Sequence, residues 1–157
     1  MKSLVVYFSL DGHTTRLAKE IAKRCNGDPD VIQEQHDRAS WSGKLRSTWD
    51  ALTRAEAPIH KPTHNPTRYD LVIIGSPALS MGVAPPVRAY IHQYADGFKR
   101  VAFFCAEGGS TDERTFAELS RLCGKRPVAT FAVNRKHLPL PAHMEGVSGF
   151  MDNLHPQ

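Results

Sequence analysis

Four short stretches of the chain are apolar without interruption: Leu4 to Phe8, Leu71 to Ile74, Val101 to Ala106 and Val128 to Val133. A strand with one face in water alternates apolar and polar residues, whereas a strand covered on both faces does not. These runs, rich in Val, Ile and Phe, therefore predict buried strands of a parallel sheet. A weaker run at Val31-Ile32 predicts an edge strand. Between the runs, apolar residues fall three and four apart, as one face of a helix requires: Leu17, Ala18, Ile21, Ala22 and Cys25; Val87, Tyr90, Ile91 and Tyr94; Phe116, Leu119, Ser120 and Cys123. Strands alternating with helices through right-handed crossovers predict an α/β fold, a three-layer doubly wound sandwich.

Residues 41–68 break this rhythm. The stretch WSGKLRSTWDALTRAEA predicts a helix with Leu45, Thr48, Trp49 and Leu52 on one face, and the three prolines of PIHKPTHNPT predict an extended surface connection. Neither flank has the composition of a flexible linker, so residues 1–157 are expected to form a single domain. LPLP interrupts the chain after Leu138, and Val147, Phe150, Met151 and Leu154 predict one last short helix despite Gly146 and Gly149.

Composition narrows the function more than the fold. With 157 residues the chain can bury roughly two thirds of its unfolded surface without a metal or disulfide staple. Its 41% hydrophobic and 23% charged residues argue against disorder. The formal net charge of +4 favours anionic partners, yet Lys and Arg are scattered singly or in pairs, which argues against nucleic-acid binding. No apolar segment approaches the roughly 20 residues that span a bilayer, so no membrane association is expected. The first apolar run is too short for a signal peptide, and a cytoplasmic location is expected. Cys25, Cys105 and Cys123 are odd in number and form no C-x-x-C pair, which suits a reducing compartment and core positions. Of the histidines, including His60, His64, His137 and His143, none combines helical i, i+4 spacing with an acidic third partner, so no metal site is expected.

Ligands of open α/β sheets bind at the carboxyl ends of the strands, where the strand order reverses. Three strand-end loops here are rich in Gly, Ser, Thr or Pro: SLDGHTT after the first strand, GSPALSMGVAPP after the third and AEGGST after the fourth. In the first, Ser9, Thr14 and Thr15 bring hydroxyls and Gly12 lets backbone N–H groups approach an anion at a helix start. Neither G-x-x-x-x-G-K-[ST] nor G-x-G-x-x-G is present, which lowers nucleotide hydrolysis and Rossmann dinucleotide binding. The loop holds no cysteine nucleophile of the tyrosine-phosphatase kind either. Ser9 and His13 lie too close on one tight loop, with no orienting acid besides Asp11, to suggest a hydrolase triad.

These loops carry a resemblance. VVYFSLDGHTTRLAKEIA resembles the phosphate-binding strand, loop and helix of the flavodoxin family, YDLVIIGSPALSMGVAPPVRAYI its second flavin loop, and VAFFCAEGGS its third. The tract from WSGKLRSTWDALTRAEAPIHKP into Tyr69-Asp70 resembles one subgroup, and the likeness covers residues 2 to about 134. The resemblance implies a five-stranded parallel sheet of order 2-1-3-4-5. It implies FMN as cofactor, its phosphate on Ser9, Asp11, Gly12, His13, Thr14 and Thr15. The ring would lie between a second loop of Pro77, Ala78, Leu79, Ser80, Met81 and Gly82 and a third of Ala106, Glu107, Gly108 and Gly109.

The departures from the family matter too. Leu79 stands where members often stack an aromatic side chain on the flavin, a loss of about 1 kcal/mol per ring. His13 stands where Asn is common. A carboxylate about 4 Å from a phosphate costs roughly 4 kcal/mol at an effective dielectric near 20, about a thousandfold in affinity, so Asp11 is expected to face away and to cap the helix through the N–H of His13 or Thr14. Met81-Gly82 is either a plain turn or a peptide that reorients when the ring is reduced. Gly108-Gly109 either ends a strand or lets backbone approach the ring. Glu107 is either a surface charge or a negative field that lowers the flavin potential.

No side chain suggests itself as a catalytic acid, base or nucleophile. The expected function is an FMN-dependent redox protein, either an electron carrier or an oxidoreductase, exchanging electrons with a redox protein or a small molecule. The basic net charge points to acidic partners. A flavodoxin-fold interaction module that has lost its flavin is the alternative, motivated by Leu79 and Asp11, and an oligomeric quinone-type flavin reductase is a third reading close to the first.

Overall fold

A computed structural model describes residues 1–35, 58–79, 82–106, 112–133 and 141–155, with backbone alone for 141–145. The helix expected around Leu45, Thr48, Trp49 and Leu52 lies outside the described residues. The described elements run β1 (Ser3–Tyr7), α1 (His13–Cys25), β2 (Asp28–Val31), β3 (Leu71–Ser76), α2 (Pro85–Tyr94), β4 (Val101–Ala106), α3 (Asp112–Cys123), β5 (Thr130–Val133) and α4 (Pro141–Leu154). The five strands form one sheet in the order β2-β1-β3-β4-β5, every pair parallel.

Period-two alternation divides each central strand between two cores. Leu4, Val6, Val72, Ile74, Val101 and Phe103 face α2 and α3, meeting Val87, Tyr90, Ile91 and Leu119. Val5, Leu71, Ile73, Ala102 and Phe104 face α1 and α4, meeting Ala18, Ile21, Val147, Phe150 and Leu154. Helices on both sides leave β1, β3 and β4 no wet face, which is why their sequences read as solid apolar runs. Cys123 belongs to the first of these cores, and burial pushes its thiol up to about 12, so it stays protonated and inert.

The outer elements depart most from the sequence pattern. β2 is Asp-Pro-Asp-Val rather than the pair Val31-Ile32. Pro29 fits an edge strand, whose outer N–H has no ladder partner to lose. The buried Asp30 is satisfied because its carboxylate accepts the backbone N–H groups of Thr63, at 3.4 Å, and His64, at 2.8 Å, tying the proline-rich segment to the sheet. Asp30→Ala leaves those two donors unmet and is expected to cost about 1–3 kcal/mol, read as a lowered urea midpoint at unchanged slope.

The final helix is longer than its apolar pattern implied, opening at Pro141, a residue whose fixed φ suits a first helical turn. Gly146 sits within it because a Cβ there would press on the Phe131 ring, at 2.7 Å, so the missing side chain lets α4 lie against β5. β5 begins at Thr130 rather than Val128, although the Val128 N–H already donates to Val101 O at 2.8 Å.

Candidate functional site

The chain leaves β1 toward β2 on one side and later returns to build β3, β4 and β5 on the other, so the order reverses between β1 and β3. The loops that follow these two strands open at their carboxyl ends, at the crevice such sheets use for ligands.

In the first loop, Ser9 is buried and its Oγ accepts the Gly12 N–H at 2.9 Å. Gly12 adopts φ +90 and is the residue from which α1 departs, with no side-chain cap. Among the described residues nothing lies within 4 Å of the place its Cβ would occupy, so the turn is open on that side. A helix start exposes N–H groups and the positive end of the helix dipole, and a glycine cap leaves them to an outside acceptor. Asp11 is exposed, and its Oδ1 accepts the His13 N–H at 3.2 Å, the local bond expected of a carboxylate two residues back. His13 is half-buried, and its Nδ1 is shielded from solvent without a hydrogen-bond partner among the described residues. Thr14 is buried. The Thr15 side chain hydrogen-bonds Tyr7, whose hydroxyl is pushed up by burial while that bond opposes the rise. The loop thus brings Ser9, Asp11, Gly12, His13, Thr14 and Thr15 into one turn, with the Thr15 hydroxyl directed to the protein.

The second loop leaves β3 through Ser76, whose buried Oγ donates to Pro77 O at 3.0 Å and accepts the Ala84 N–H at 3.4 Å, pinning both ends of the loop. Pro77 and Ala78 are buried, and Leu79 is partly buried, packed against the α2 and α3 core. Gly82 adopts φ +103 and donates its N–H to Leu79 O at 2.9 Å. Ser80 and Met81 lie outside the described residues. In the third loop Ala106 ends β4, buried, while Glu107, Gly108 and Gly109 lie outside the described residues. Just beyond them, Asp112 opens α3, and the Cys105 thiol at the end of β4 donates to its Oδ1 at 3.5 Å.

Two residues absent from the sequence reading reach the second loop from the helices beside it. Glu118, in the middle of α3, accepts the Val83 N–H through Oε2 at 3.0 Å and pairs with the Arg88 guanidinium of α2 through Oε1. No local signal marked Glu118, because on α3 it reads as one polar position beside Leu119. Among the described residues no group of histidines, cysteines and carboxylates is placed to hold a metal ion, and no helix is long and apolar enough to cross a membrane.

A flavoprotein of Lactobacillus acidophilus, crystallised in complex with FMN, is 20% identical, with 83% of this chain and 92% of that one covered at a TM-score of 0.70. A protein of Bacteroides eggerthii proposed to be a flavoprotein is 21% identical, with 99% of each chain covered and a TM-score of 0.77. The two-electron reduced flavodoxin of Megasphaera elsdenii is 18% identical, covering 98% of this chain and 99% of its own, with a TM-score of 0.55. These likenesses show a shared fold. No curated protein matches the sequence. A family model described as flavodoxin matches residues 2–133. The chain belongs to the flavodoxin family.

Proposed function

We propose that this protein binds FMN at the crevice between the loops after β1, β3 and β4 and works as a redox protein. The observation that carries the reading is the first turn: Gly12 gives α1 no side chain to cap it, and among the described residues only the His13 N–H is taken, by Asp11, while the Gly12 Cβ position is open and His13 Nδ1 is buried without a partner. An anion lodged there gains the first-turn N–H groups, the helix dipole and an imidazole N–H, so the residues present fit a phosphate. Family membership and the FMN-bound Lactobacillus acidophilus relative support the same ligand.

When bound, FMN supplies one- and two-electron chemistry at its ring. The chain's part is to hold and shield it. Gly12 admits the phosphate to backbone amides, and Asp11 is exposed, its Oδ1 already accepting the His13 N–H. Pro77, Ala78 and Leu79 offer an apolar, partly covered edge to the ring, and Ser76 pins the loop that carries them. The net charge of +4 favours exchange of electrons with acidic redox proteins or anionic small molecules.

A second reading, a flavodoxin-fold interaction module without flavin, is favoured by Asp11, which already occupies the His13 amide, and by Leu79 in place of an aromatic platform. One titration separates the two. Purified apoprotein is expected to quench FMN fluorescence saturably at micromolar or lower concentration and to shift the visible absorbance. Unchanged spectra at high protein concentration overturn the redox reading and favour the second.

A further inference from the structure

Gly82, Val83, Arg88 and Glu118 meet where the second loop runs into α2. Glu118 Oε2 accepts the Val83 N–H at 3.0 Å. The same oxygen fills the space left by the missing side chain of Gly82, since a Cβ built there would collide with it. Oε1 takes a hydrogen bond from Arg88 Nη2, and Arg121 Nη2 stands 4.0 Å away on the outer side. The side chains of Glu118 and Arg88 are 18% and 17% exposed, so this charge pair is largely withdrawn from water. Among the described residues Arg88 Nε finds no acceptor, and Glu118 is the acidic group that pairs with the guanidinium.

The carboxylate meets the loop at two adjoining places, the Val83 N–H and the open side of Gly82. Gly82 is held at φ +103, a conformation that only glycine adopts without strain. The peptide joining Gly82 to Val83 carries the N–H that Glu118 accepts, so the carboxylate sets the plane of that peptide and the direction of the Gly82 carbonyl. On the other side of positions 80 and 81, Leu79 is tied to Gly82 by the Gly82 N–H. The second loop is therefore fixed from within by Ser76 and the Gly82 N–H, and from outside by Glu118 of α3 paired with Arg88 of α2.

We propose that Glu118, held by Arg88, is a positioning residue: it clamps the Gly82–Val83 peptide and thereby sets how tightly the second loop grips the flavin ring. The ring half of this inference rests on the FMN reading above, whereas the clamp on the peptide does not. A carboxylate accepting a backbone N–H in a nearly dry setting makes a charge-assisted bond, stronger than a neutral one, and losing it frees the loop while leaving the phosphate turn untouched.

The test uses the full chain with Glu118→Ala, Glu118→Asp and Glu118→Gln. In the apoprotein, the Val83 amide is expected to exchange with deuterium about tenfold faster in Glu118→Ala, and also in Glu118→Asp, whose shorter side chain keeps the charge but not the reach. Glu118→Gln keeps one oxygen acceptor for the Val83 N–H but sets its NH2 against the Arg88 guanidinium and loses the charge, so its exchange is expected to fall between wild type and Glu118→Ala, a graded response that a purely structural role of the charge pair would not give. Affinities for FMN and for riboflavin, which lacks the phosphate, are expected to fall by the same factor of about ten in the Ala and Asp variants. Wild-type Val83 exchange in both variants overturns the clamp. Loss of FMN affinity without loss of riboflavin affinity overturns the ring grip, because it places the effect at the phosphate. If wild type takes up neither flavin, the FMN reading and the ring grip fall together, and Val83 exchange alone decides the clamp. Should Glu118→Ala not fold, the Asp and Gln pair carries the same comparison.

Discussion

Gly12→Val is expected to weaken FMN binding about 100-fold or more and to leave riboflavin binding within about threefold of wild type. The reason is conformational, not steric. At φ +90 nothing among the described residues lies within 4 Å of the place a Cβ would occupy, so they leave a side chain at Gly12 room. It would not have the backbone, because a β-branched residue is a genuine outlier at positive φ, and holding it there costs of order 1–3 kcal/mol. The turn relaxes instead, and the amides at the start of α1 no longer point to one anion. Losing two charge-assisted hydrogen bonds to a phosphate at the low end of their range, about 1.5 kcal/mol each, corresponds to a little over a hundredfold. Riboflavin lacks the phosphate and isolates the ring contacts, so the ratio of the two dissociation constants is the quantity to measure by fluorescence quenching. Gly12→Asn, a residue that tolerates positive φ, is expected to retain most of the FMN affinity. Equal losses for both flavins would show that the first turn does not hold phosphate at all.

The comparison of Gly12 with Glu118 shows where the sequence was legible. Gly12 sits in a contiguous stretch running from a buried strand through a polar turn into an amphipathic helix, and each part constrains the next within a few residues. The chemistry of that turn can be read along the chain. The same holds for the three central strands, since burial on both faces writes itself directly into Leu4, Val5 and Val6, or Leu71 to Ile74. Glu118 reaches Val83 across 35 positions, through the packing of α3 on α2, and no local pattern encodes the angle at which two helices meet. β2 was hard to read for a related reason. Asp28, Pro29 and Asp30 carry no strand preference, and Asp30 is buried only because Thr63 and His64, over 30 positions away, bring it their N–H groups. Local rules describe what a residue prefers, and distant partners decide which polar residues can be buried.

The largest expected loss of stability comes from Phe104→Ala, about 3–5 kcal/mol, roughly a fifth or more of what a domain typically has. Phe104 is fully buried on the α1 and α4 face of β4, directly opposite Gly75 of β3 in the register. Its ring lies over Gly75 so closely that any Cβ there would run into the ring's edge atoms. The aromatic side chain therefore fills volume that both residues would otherwise claim, which makes the two positions interdependent. Gly75→Ala alone overpacks a core that has no slack and is expected to cost about 1–3 kcal/mol. In the Phe104→Ala background the same methyl group enters the vacated space, so its cost is expected to vanish or change sign, a coupling of about 1–3 kcal/mol in a double-mutant cycle. Urea unfolding of the apoprotein followed by far-UV circular dichroism measures all four corners. Additive effects would mean that the ring and the glycine do not share this space. The consequence reaches the site as well, because Gly75 adjoins Ser76, whose Oγ pins both ends of the second loop. Loosening β3 at Gly75 releases the loop from its root, so the variants that unfold most easily are also expected to bind riboflavin more weakly while still folded.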